Sequence, residues 1–279
     1  MAATGGIVDS HVHLLPGRIG EKVRAIFEAG ETAGRFVLAY PSGHDEVVSQ
    51  LRAEGVVGVW SLPYAHKPGV AEGLNEASAT VAARFTDGAF RVTGGATVHP
   101  GDEDPAGIVH GAVARHGLRV LKLHCSVGDF GVDDPRLTPA LAAAEEHRMP
   151  TVVHLGHNPN GLTEGHELDS LRTVCARHPG LPVVLAHFGH HSAPEAVALF
   201  AEFANFHADL TPVVTSAPNV TSEMLSLWAD RILFGSDSPN TAVSVTDHLA
   251  WLGSFGLDDP AVAAITGGNA RRLEAAVAA

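Results

Sequence analysis

Eight short, apolar, β-branched runs recur along this chain, separated by longer stretches dominated by Ala, Leu, Glu and Arg. That alternation constrains the fold more than any other feature, because strand-length apolar runs with helical stretches between them are the pattern of βα units around a parallel sheet. The runs span residues 6–9, 56–61, 92–98, 120–124, 151–154, 183–187, 206–210 and 232–237. Between them, residues 45–54, 74–84, 106–116, 137–147, 168–178 and 194–203, with a terminal helix from 269, carry good helix formers. Eight strands is the count of a closed (β/α)8 barrel, and 279 residues suit one such domain. Residues 36–40 read as an extra short strand or the start of an inserted loop after the first strand.

An open doubly wound sheet is the rival architecture, but no glycine fingerprint follows the first run, where a nucleotide-binding fold would place one. Pro and Gly are scattered at strand ends with no linker or repeat between halves, so the expectation is a single TIM-barrel domain over residues 1–279. A hydrophobic fraction of 45% against 18% charged residues supplies the large core that such a barrel needs.

In a barrel, functional side chains stand at the C-terminal ends of the strands. Here those ends are occupied by histidine and aspartate. The first run closes on His11-Val-His13, two imidazoles that point the same way when two residues apart on extended backbone. The fifth run closes on His154, the sixth on His187 and the eighth on Asp237. A lone His-x-His or strand-terminal His is commonly a capped surface or satisfied core residue. Four runs that aim ionisable groups at one mouth are harder to explain by packing, which disfavours burying them. Such nitrogen and oxygen donors suit one divalent metal, zinc first, with manganese or iron as alternatives.

Other polar groups close the remaining strands. His99 ends the third, and Lys122 and His124 share a side at the fourth. His157, His190 and His191 lie in loops just beyond the fifth and sixth runs, either contacting substrate or orienting ligands. Arg18, in the first loop, is a candidate partner for a substrate carboxylate, although a solvated arginine at a helix start is the commoner case. Cys125 should turn away from the mouth into packing, and Asn269 reads as the cap of the last helix.

Asp9-Ser-His-Val-His13, Lys122-Leu-His124, the strand-end His154, Ala186-His-Phe-Gly189, Gly235-Ser-Asp-Ser-Pro239 and Gly268-Asn-Ala-Arg-Arg-Leu273 occur in that order. With them the sequence resembles the amidohydrolase-related family over residues 8–273, specifically the branch holding aminocarboxymuconate-semialdehyde decarboxylase and the resorcylate-type decarboxylases beside many hydrolases. The resemblance implies a (β/α)8 barrel with one metal held by His11, His13, His154 and Asp237. It further implies that His187 is the acid/base or electrophilic residue beside the metal, and that Asp237 doubles as ligand and base. Elsewhere in the superfamily a carbamylated lysine on the fourth strand bridges two metals. Because this branch usually carries one, Lys122 is expected to be a substrate-binding or structural cation.

The expected activity is metal-dependent hydrolysis of an amide, lactone or ester in a small molecule. Non-oxidative decarboxylation of a small carboxylic acid is the alternative, and a non-catalytic metal- or ligand-binding barrel a lesser one. Arginine is nearly absent from the strand ends, which tilts the choice away from a carboxylate substrate. A formal charge of -13 argues against nucleic acid. The apolar runs are too short to cross a bilayer. Two cysteines without CxxC spacing and no signal-like start suggest a cytoplasmic protein. A homodimer paired through barrel helices follows from the resemblance only.

Overall fold

The computed structural model describes residues 5–155, 164–216 and 219–278. The apolar runs form the strands β1 (Ile7–Val12), β2 (Val56–Ser61), β3 (Arg91–Thr97), β4 (Val120–His124), β5 (Thr151–His154), β6 (Val183–Leu185), β7 (Phe206–Asp209) and β8 (Ile232–Leu233). Their order in the sheet is their order in the sequence, and each pair is parallel. The barrel closes just past β8, where Val12 bridges Ser238 and the Asp237 amide donates to the His11 carbonyl at 2.8 Å.

The helices are α1 (Gly17–Thr32), α2 (His44–Ala53), α3 (Ala71–Phe85), α4 (Pro105–Ala114), the single turn α5 (Cys125–Gly128), α6 (Thr138–Glu146), α7 (Glu164–Arg177), α8 (Ala193–Glu202), α9 (Val213–Ser216), α10 (Ser222–Leu227), α11 (Val245–Gly253), α12 (Asp259–Ala263) and α13 (Asn269–Ala275). Alternation along each strand sorts side chains into two layers. Inside the barrel, Val8, Trp60, Leu62, Val120, Val152, Val184 and Leu233 pack with Ala270 and Leu273, so α13 plugs the lower end. The larger apolar layer lies outside, between the strands and the helices, and includes Leu121, Leu123, Val153 and Leu185. Lys122 and His154, each two residues past an inner apolar position on its strand, therefore point into the barrel mouth, and Asp209 at the end of β7 meets His11 there. No helix among the described residues is long and apolar enough to cross a membrane.

Several boundaries differ from the sequence expectation. Strand β1 runs on to Val12, so His11 lies within it, whereas β6 stops at Leu185 and β8 after two residues. Residues 36–40 form no strand. They cross to the loop after β8, where Ala39 N donates to Thr241 O at 2.9 Å and the Tyr40 hydroxyl accepts from Val245 N at 2.8 Å. Helix α1 went unread because Gly17, Gly20 and Gly30 dilute its helical signal, each costing about 1 kcal/mol relative to Ala. Asn269 is not a cap. Its amide donates to the carbonyls of Ala229 and Ile232, both at 2.7 Å, and ties α13 to β8.

Candidate metal centre

His11 is fully buried, and its Nδ1 lies 2.8 Å from Asp209 Oδ2. An imidazole that donates its Nδ1 hydrogen to a carboxylate keeps the lone pair on Nε2, the arrangement of a ligating histidine. His13 is fixed in the same way, donating from Nδ1 to the Leu62 carbonyl at 2.7 Å. The two Nε2 atoms converge on Asp237 Oδ1, at 3.8 Å for His11 and 3.1 Å for His13, and the Lys122 ammonium stands 3.1 Å from His11 Nε2. Two imidazole nitrogens and a carboxylate oxygen gathered this closely are a donor set that fits a divalent cation.

Asp237 reaches this position from left-handed backbone at φ 65. Burial would raise its pKa. The His13 hydrogen bond and the nearby imidazoles outweigh that and hold the carboxyl well below the usual carboxylate range. Burial, followed by the Lys122 charge, lowers the pKa of His11. Lys122 is fully buried with Nζ 3.1 Å from His11 Nε2, and its pKa is pushed down to about 8 by that burial.

A second set of imidazoles adjoins the first, with the His11 and His187 rings 5.2 Å apart. After β6 the chain turns through left-handed conformations at His187, Phe188, Gly189 and His190. Asp209 Oδ1 anchors this turn by accepting from His187 N at 2.9 Å and Thr211 N at 3.1 Å. His187 Nδ1 donates to the Thr211 carbonyl, which leaves Nε2 facing His154 Nδ1 at 3.0 Å. His190 stacks on His187 at 4.3 Å, and His154 stacks on His124 at 3.9 Å. Burial pushes His124, His154 and His187 well below the ordinary imidazole range, so they are neutral at pH 7. The ligand-capable atoms of His11, His13 and Asp237 lie within 4.8 Å of one another, as do those of His154, His187 and His190. His154 thus stands with the second set.

The other expected residues separate. His124 joins the cluster, its Nδ1 3.2 Å from Ser126 Oγ. His99 does not, because its Nε2 meets Gly128 O and its Nδ1 accepts from Gly101 N, both at 3.0 Å. Arg18 is exposed at the start of α1, away from these contacts. His157 and the His191 side chain lie outside the described residues.

Two residues of the site were not singled out in the sequence. Asp209 closes β7, but Leu210 after it hides the strand end. Tyr64 lies on the loop after β2, with its ring 5.6 Å from His13 and 4.8 Å from His124. A cavity of about 400 Å³ opens beside His13, lined also by Leu15, Glu21, Arg24, His44 and Asn240. The Arg24 guanidinium is fully engaged there. It donates to Glu28 at 2.9 Å and to the carbonyls of Tyr40, Pro41 and Pro239.

Fold and site together define a (β/α)8 barrel with an imidazole and carboxylate cluster at the C-terminal ends of its strands, the usual seat of function in this architecture. The family model described as amidohydrolase matches residues 8–273, and the chain belongs to that family. Among solved structures, an uncharacterized TIM-barrel protein from Bordetella bronchiseptica is similar at 19% identity and TM-score 0.76, over 97% of this chain and 98% of that one. A 2,6-dihydroxybenzoate decarboxylase complexed with 2,6-dihydroxybenzoate is similar at 18% identity and TM-score 0.71, over 99% and 100%. A probable 2-pyrone-4,6-dicarboxylic acid hydrolase from Acinetobacter baumannii is similar at 14% identity and TM-score 0.68, over 96% and 99%. Likeness at these identities carries the fold. No curated protein matches the chain in sequence.

Proposed function

We propose that this chain is a divalent-metal hydrolase acting on an amide, lactone or ester bond of a small molecule. The convergence of His11 Nε2 and His13 Nε2 on Asp237, each imidazole locked from behind, carries the reading. His11, His13 and Asp237 would hold the metal, His154 would serve as a fourth donor only by turning its ring away from His187, and the donor types favour zinc over manganese or iron. When bound there, a divalent cation polarises a carbonyl and lowers the pKa of a water toward ~7.

The chain's own groups handle the protons. Ionised Asp237 accepts the proton of the attacking water. Neutral His187, with Nδ1 tied to Thr211 and Nε2 accepting, takes that proton on to the leaving group. Lys122 serves as a buried structural cation beside Asp209 and Asp237.

Hydrolysis is favoured over decarboxylation by the charges around the cavity. Beyond the proposed metal, a carboxylate substrate gains from a second cation in the cavity, and Arg24, the one arginine among the described lining residues, is already engaged. Residues 156–163 contain neither Lys nor Arg. The likeness to 2,6-dihydroxybenzoate decarboxylase supports the second reading.

Metal-loaded protein should hydrolyse members of a panel of small lactones, esters and N-acyl amides, read as proton release for the lactones and esters and as free amine for the amides. It should release no carbon dioxide from hydroxylated benzoic acids. Carbon dioxide release without any hydrolysis would overturn the assignment in favour of the second reading.

A further inference from the structure

Tyr64 stands in the barrel mouth with no assigned task. It is 8% exposed, its ring meets His13 edge-on at 5.6 Å and leans on His124 at 4.8 Å, and its hydroxyl has no hydrogen-bond partner among the described residues. The ring is held by these contacts, and at neutral pH the phenol carries its hydrogen.

The loop that holds Tyr64 is pinned on both sides. Before it, Leu62 N donates to Val12 O at 2.7 Å, and Leu62 O accepts from His13 Nδ1 at 2.7 Å. After it, Ala65 N donates to Thr97 Oγ1 at 2.9 Å, and that hydroxyl donates to Lys122 O at 3.0 Å. The anchors are the residues that position the site itself: β1 with its two histidines, and β4 with Lys122. A donor fixed to the same frame as the proposed ligands, with its hydrogen uncommitted, has the character of a preorganised group awaiting negative charge.

Resting on the hydrolase reading, we propose that the Tyr64 hydroxyl donates a hydrogen bond to the oxygen that becomes negative in the substrate, making Tyr64 a catalytic residue of this site and oxyanionic, tetrahedral species its preferred ligands.

The test is Tyr64→Phe, which removes one oxygen and keeps the ring between His13 and His124. Metal content and thermal stability of wild type and variant are measured first, followed by titration of both zinc-loaded proteins with methylphosphonate, a tetrahedral oxyanion. A hydrogen bond to a charged acceptor should make binding to the variant about 10- to 100-fold weaker, with zinc content and melting temperature unchanged. If Tyr64 only packs, Phe packs as well. Equal affinity for methylphosphonate in two zinc-loaded proteins would overturn the inference and leave the hydrolase reading standing. Failure of the wild type to take up zinc would sink the reading beneath it, and the inference with it.

Discussion

Replacing Asp209 with Asn exchanges one carboxylate oxygen for an amide nitrogen, and the structure dictates which way the new side chain faces. Oδ1 of Asp209 accepts from His187 N and Thr211 N, while Oδ2 accepts from His11 Nδ1. Turning the amide so that its oxygen met His11 would leave two buried backbone N–H groups without an acceptor, at about 1–3 kcal/mol each. Keeping the oxygen on the backbone sacrifices only the bond to His11. The amide nitrogen therefore faces Nδ1, and His11 must accept there and carry its hydrogen on Nε2. That tautomer has no lone pair for a metal. Restoring the ligating tautomer costs the same order of energy as one unsatisfied donor, so zinc affinity should fall about 10- to 100-fold. Competition for zinc against a chromophoric chelator measures this directly, with thermal unfolding of the metal-free proteins as a check on folding. Binding by Asp209→Asn as tight as that of the wild type would refute the claim that Asp209 sets the His11 tautomer.

Three further outcomes follow from the same geometry. Burial lowers His207 and His248 from 6.5 to about 4, so the folded state resists protonating them: their contribution is intact above pH 6.5 and is lost as pH falls toward 4. Each accounts for up to about 3 kcal/mol at the acid end, and denaturant unfolding across that range should show a shallower pH slope for His248→Leu. Gly235→Ala would drive a methyl group into Thr211 Oγ1 and to 2.7 Å from His11 Cβ. It should cost about 1–3 kcal/mol in unfolding and weaken zinc binding as His11 shifts, as thermal melts and metal titration would show. Lys122→Met removes an ammonium 3.1 Å from His11 Nε2 and should leave metal content intact, with equal or tighter affinity. Loss of metal in that variant would instead mark Lys122 as a ligand in carbamylated form.

Much of this was legible in the sequence wherever one strand reports on itself. The eight runs became the eight strands, and His11, His13, His154, His187 and Asp237 all stand at the mouth, because β-branched runs ending on ionisable residues leave few other arrangements. What escaped depends on contacts between elements. Asp209 matters through His11, 198 residues away. Tyr64 lies past the end of its run and is brought in by Thr97 and Val12. The turn from His187 to His190 could not be foreseen, since Gly189 is the only one of its four residues that readily adopts a positive φ. The turning of His154 toward His187 is a matter of side-chain rotation that strand periodicity does not encode.

The central claim is that His11, His13 and Asp237 form a divalent-metal site. Titration of metal-free wild type with zinc, beside His11→Ala/His13→Ala and followed by elemental analysis, tests it most directly. The account requires about one equivalent in the wild type, lost in the double variant while the fold remains intact. A wild type that takes up no metal, or a double variant that retains it, would contradict the account.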